Sequence, residues 1–124
     1  MTAALLTLIL LFTPVQSDRF AHGTYARNGI LIGLSDLAPL RTCAVKAFEG
    51  KTTSVEIDNG TAIFELKSDT ERQSFQFPLA KLDSPERKTL RRNFLQKHVP
   101  LRATGYACTT ESQTLETISI DRVY

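Results

Sequence analysis

Phe75, Phe77 and Leu79 alternate with Ser74, Gln76 and Pro78, a period of two that predicts a strand with one buried face. The same period recurs upstream. Cys43, Val45 and Ala47 share one face of a strand, Glu49-Gly50-Lys51 predicts a turn, and Thr53, Val55 and Ile57 share a face of the next strand. Asn59-Gly60 is the strongest hairpin signal in the chain, because a type I′ turn needs positive φ at both central residues. Ala62, Phe64 and Leu66 then alternate with Thr61, Glu65 and Lys67, and residues 68–72 turn the chain into the strand around Phe75. Asn59-Gly60-Thr61 also fits the glycosylation acceptor pattern, which a hairpin turn explains at least as well.

Past Leu79 the period changes. Asp83-Ser84-Pro85-Glu86 starts a helix, capped either by Ser84 with Pro85 at the first helical position or by Asp83 with Glu86 three residues on. It is expected to run to about His98, since Pro100 forbids much more, and to bury Leu90, Phe94 and Leu95. His98 then reads as a helix C-terminal residue, favourable with the dipole when protonated. Val99 to Cys108 and Leu115 to Val123 read as two further strands joined by the polar turn Thr109-Thr110-Glu111-Ser112-Gln113. In a regular strand Tyr106 points away from the Leu101 and Ala103 face, unless Gly105 marks a bulge. Phe75 and Phe77 read as core, because Leu79 continues their face, rather than as a platform for nucleobases.

A meander of strands, one helix and two closing strands is the order of an oligonucleotide/oligosaccharide-binding (OB) barrel. The predicted class is therefore mainly β. It is an OB-fold over residues 41–124, a small antiparallel Greek-key barrel whose single capping helix precedes the penultimate strand. Residues 18–28 read as a loose start, and 29–40 as partly ordered apolar packing. Within 29–40, Ile30, Leu31, Ile32 and Leu34 suit a strand, while Ser35-Asp36-Leu37 suits a short helical turn that Pro39 disturbs.

Composition adds a compartment. Residues 1–17 hold no charged side chain, contain the apolar run Ala3 to Phe12 and end in Val15-Gln16-Ser17, which predicts a cleaved signal peptide and a mature start at Asp18. The run is too short to span a bilayer, so no integral membrane anchor is expected and the destination is secreted or periplasmic. In an oxidising compartment the isolated pair Cys43 and Cys108 predicts one disulfide. In the chain-entropy account, closing that loop of roughly 65 residues is worth about 4 kcal/mol. A net charge of +2 is too balanced to indicate a nucleic-acid partner.

The chemistry of catalysis is not legible. His22 and His98 show no metal spacing or nucleophile–base pairing, and there is no Gly-rich elbow or phosphate loop, so neither enzyme activity, metal nor cofactor is expected. The unusual charge feature is the helix, where Arg87, Lys88, Arg91 and Arg92 fall at like-charge spacings of four. That face is either solvated or turned toward an acidic partner.

Phe75-Gln76 in a strand, Leu82-Asp83-Ser84 before a basic helix, Cys108 in the next strand, a Thr/Ser turn and the closing Thr117-Ile118-Ser119-Ile120-Asp121-Arg122 carry a family likeness. Over residues 75–124 the chain resembles the B subunits of the cholera and heat-labile enterotoxin group, and more loosely those of pertussis toxin. The resemblance implies a non-catalytic subunit that assembles as a ring, with helices toward a central pore. Such a ring binds cell-surface glycans and delivers a catalytic A subunit. It would make Arg87, Lys88, Arg91 and Arg92 pore- or partner-facing. Where the cholera-type galactose site has a tryptophan just after the late cysteine, this chain has Thr109. The candidate ligand-binding residues are therefore those of the turn: Thr109, Thr110, Glu111, Ser112 and Gln113. The alternative reading is a stand-alone periplasmic OB-fold module for a small ligand, an envelope component or a protein.

Overall fold

In β4 (Thr61–Lys67) and β5 (Arg72–Pro78) the alternation read from the sequence becomes the inner wall of the protein. Ala62, Phe64 and Leu66 from one strand and Phe75 and Phe77 from the other are buried, with Phe64 opposite Phe75 and Ala62 opposite Phe77. The Phe64 ring stacks on Phe75 with centroids 5.4 Å apart and meets Phe77 edge-on, both favourable aromatic geometries. This is a computed structural model describing residues 22–27, 29–109 and 113–123. The expected signal peptide, 1–17, lies outside the described residues.

The hairpin forms as expected. Asn59 and Gly60 adopt φ of +53° and +80°, and Asp58 and Thr61 close the ladder between β4 and β3 (Ala44–Asp58). The turn expected at Glu49-Gly50-Lys51 does not form; β3 runs unbroken for 15 residues. Its first half pairs with β6 (Pro100–Ala107) and its second half with β4, and the exchange of neighbours falls at Gly50 and Lys51. A Cβ on Gly50 would lie 2.6 Å from the Lys67 carbonyl oxygen, so this glycine permits a close backbone approach.

Strand β7 (Thr114–Arg122) pairs antiparallel with β6 and parallel with β5, closing the ring β3-β4-β5-β7-β6. The wholly antiparallel barrel expected from the sequence is therefore corrected to a mixed sheet. A closed ring of five strands cannot alternate direction throughout, and β5–β7 is the pair that breaks the alternation. Gly105 does mark a register shift against β7, but it keeps the inner face, where an added Cβ would meet Leu115 and Phe75. Tyr106 stays on the outer face opposite Val45 and Glu116 and is buried there, its hydroxyl accepting the Arg41 backbone N–H.

The helix α1 (Ser84–Asn93) is capped by Asp83, whose carboxylate accepts the Glu86 N–H at 3.0 Å while Glu86 accepts the Asp83 N–H at 3.2 Å. Glu86 is buried, and its other oxygen accepts the His22 N–H. The helix stops at Asn93 rather than near His98. Phe94 and Leu95 turn into the core, and the Gln96 amide donates to the Arg91 and Arg92 carbonyls. Thr52 then fixes the chain beyond. Its N–H donates to the Val99 carbonyl, its carbonyl accepts the His98 N–H at 2.7 Å, and its hydroxyl donates to the Gln96 carbonyl while accepting the Val99 N–H. His98 therefore sits in a turn at φ +66°, outside the helix.

The looseness expected over 18–28 does not hold at Gly23–Tyr25, which forms β1 and pairs with β2 (Leu31–Leu34). β2 continues onto β7, so this hairpin extends the sheet of the ring. Leu31, Leu34 and Leu37 are buried, and the Leu37 N–H donates to the Ile118 carbonyl; Ser35-Asp36-Leu37 is not helical. The Cys43–Cys108 disulfide forms, with Cα atoms 4.7 Å apart, just outside the terminal Ala44–Ala107 pair of the β3–β6 ladder. No helix among the described residues is long and apolar enough to cross a membrane.

Candidate functional site

Because Phe75 and Phe77 point inward, Arg72, Ser74, Gln76 and Pro78 face out, and strand pairing decides what lies beside them. Glu65 stands opposite Ser74, which stands opposite Thr114 of β7; Ile63, Gln76 and Glu116 form the next row; Thr61 and Pro78 form a third. The result is a polar outer face crossing β4, β5 and β7.

Two hollows lie on that face. One, of about 310 Å³, is lined by Glu65, Arg72, Gln73, Ser74 and Gln113. The other, of about 210 Å³, is lined by Thr61, Gln76, Phe77, Pro78 and Glu116. Their walls are held in place. The Gln73 amide donates to the Gln113 carbonyl at 3.0 Å, tying β5 to the β6–β7 turn. The Thr53 hydroxyl donates to Glu65 at 2.6 Å, and Arg72 reaches the same carboxylate at 3.8 Å. Arg41 makes a two-pronged contact with Glu116, and this hydrogen-bonded carboxylate holds the guanidinium above its usual pKa. Hydroxyl, amide, carboxylate and guanidinium groups thus sit together on a shallow surface, an arrangement suited to hydrogen bonding. Among the described residues no three His, Cys, Asp or Glu side chains gather as a metal site requires.

Of the turn residues singled out from the sequence, Thr109 and Gln113 are exposed, and Gln113 lines the larger of the two hollows. Thr110, Glu111 and Ser112 lie outside the described residues. Arg87, Lys88, Arg91 and Arg92 are all exposed on the outer side of α1, away from the buried Glu86, Leu90 and Phe94, and none makes an ion pair among the described residues. They do not join the hollows.

Sequence reasoning did not single out Glu65, Arg72, Gln73, Ser74, Gln76 and Glu116 as site residues. The outward positions of β4 and β5 follow from the alternation. What brings Glu116 and Gln113 beside them is the parallel β5–β7 pairing, made across an intervening helix and strand. No protein-family model matches the chain, and no curated protein matches it.

Proposed function

We propose that the chain is an exported, non-catalytic glycan-binding module built on an OB barrel, with its ligand groove on the outer face of β4 and β5 beside the β6–β7 turn. The five-strand ring, its one parallel pair and the helix between β5 and β6 support the fold assignment. In that fold ligands lie on the second and third strands, between the loops joining strands one to two and four to five. Counted within this ring, those elements are β4, β5, the Asn59-Gly60 turn and the connection from β6 to β7 that includes Gln113.

The observation that carries the reading is that both hollows fall on this face, one lined by Thr61 next to the first loop and the other by Gln113 of the second. Sugar hydroxyls both donate and accept; Ser74, Gln76 and Gln113 offer both roles, and the Glu116 carboxylate accepts. The disulfide and the uncharged apolar stretch at the start of the chain support export. Glycan-array binding of the wild type, compared with Ser74→Ala/Gln76→Ala, tests the assignment. Neither exposed or half-buried side chain belongs to the core, so the variant is expected to fold and to lose at least about tenfold in affinity. No binding by the wild type, or equal binding by both proteins, would show the reading to be wrong.

A finer reading, a toxin B-type subunit in a ring around a catalytic partner, is favoured by one observation. Among the described residues, 44–50 of β3 have β6 as their single ladder neighbour, so the other edge of this half could pair with another copy. The exposed basic face of α1 would then meet acidic groups of a partner. Light scattering decides between a mass about five times the monomer and the monomer or dimer of a stand-alone periplasmic module.

A further inference from the structure

Lys51, Lys67 and Arg72 are successive cross-strand partners on β3, β4 and β5, so three basic side chains lie in one row. Like charges directly opposite one another in a sheet repel and destabilise it. Arg72 reaches Glu65, but Lys51 and Lys67 have no ion-pair partner among the described residues. Both lysines line a hollow of about 540 Å³, distinct from the polar groove, together with Thr53, Ser68, Asp69 and His98. The backbone around it is fixed. His98 is held at φ +66° by its N–H to the Thr52 carbonyl, and Gly50 lets the two lysine-bearing strands approach closely.

We propose that this hollow binds the phosphate group of a small molecule. Lys51 and Lys67 supply the charge and most of the donors, and the His98 ring supplies a further one; the Thr53 and Ser68 hydroxyls line the wall but give their hydrogens to Glu65 and to the Glu71 carbonyl. A phosphate is the fitting anion because it offers several acceptor oxygens to convergent donors and carries enough charge to offset two ammonium groups. Asp69 is the acidic side chain lining the hollow, and it leaves the excess charge positive. The volume exceeds that of a bare phosphate and falls in the range of small-molecule sites, leaving room for an organic group. The inference is independent of the glycan reading.

Thermal unfolding at constant ionic strength tests it, with inorganic phosphate and glycerol phosphate as probes and chloride as the control. At about ten times its Kd, glycerol phosphate is expected to raise the wild-type midpoint by roughly 5 °C or more. Lys51→Gln/Lys67→Gln, which removes two exposed and mutually repelling charges, should unfold no earlier than the wild type and bind at least about tenfold more weakly. His98→Asn, which tolerates positive φ, should keep the turn and weaken binding about threefold. Sedimentation with phosphatidylglycerol vesicles separates the sources. Retention abolished by the double substitution places the phosphate on a lipid, absence of retention beside a soluble response places it on a free metabolite, and either upholds the site. Probes that shift neither protein, or shift wild type and double variant equally, would overturn it.

Discussion

Strand β4 and the first half of β3 show the same period-two pattern of apolar side chains, yet one is core and the other is surface. In β4, Ala62, Phe64 and Leu66 are fully buried, and the strand has a neighbour on each side. In β3, Ala44, Val45, Lys46 and Ala47 are all exposed, Val45 to 58%, and β6 is their one ladder neighbour among the described residues. Alternation therefore announces a strand; burial needs a second layer or a second neighbour. What holds the exposed half is its ladder with β6 and the disulfide closing that ladder's end. Among the described residues nothing pairs with the other edge of that half, whereas the outer side of β4 shares a polar surface with β5 and β7.

The contrast can be broken from the buried side first. Phe64→Ala is expected to cost about 3–5 kcal/mol, since the ring stacks on Phe75 in a filled interior and its loss leaves a cavity. Urea denaturation measures this, and a much smaller loss would show that β4 does not face a packed core. Next comes the staple: Cys43→Ala with Cys108→Ala should destabilise by about 2–4 kcal/mol. Hydrogen exchange should then show the β3–β6 ladder opening from its Ala44–Ala107 end, and uniform loosening of the whole ring would contradict this account. The smallest effect is expected on the exposed half itself. Val45→Ala should change stability by less than about 0.5 kcal/mol, as at other surface positions. If the protein is a ring, Val45→Glu should reduce its mass by light scattering while leaving the monomer's unfolding midpoint unchanged.

Much of the fold was legible because it is local. The Asn59-Gly60 turn, the alternation of β4 and β5 and the Asp83–Glu86 capping box each depend on residues within a few positions of one another. The misreadings all involve distant partners. Gly50 looks like a turn residue until the Lys67 backbone is seen packed against it. The helix pattern continues toward His98 until Thr52 claims the Gln96 and His98 backbone. Gly23–Tyr25 carries too few apolar residues to announce a strand, and it becomes one by pairing with β2 beside the buried Glu86. The groove was half legible in the same sense. The polar turn ending at Gln113 stood out, but the strand faces it completes come from the β5–β7 pairing.

Chemical-shift mapping tests the central claim most directly, by titrating the isotope-labelled protein with the strongest ligand from the glycan array. The largest perturbations are expected to cluster at Thr61, Ser74, Gln76, Gln113 and Glu116, with little change along Ala44–Ala47 or at Lys51 and Lys67. Perturbations centred on either of those two regions, with the β4–β5 outer face unmoved, would contradict it.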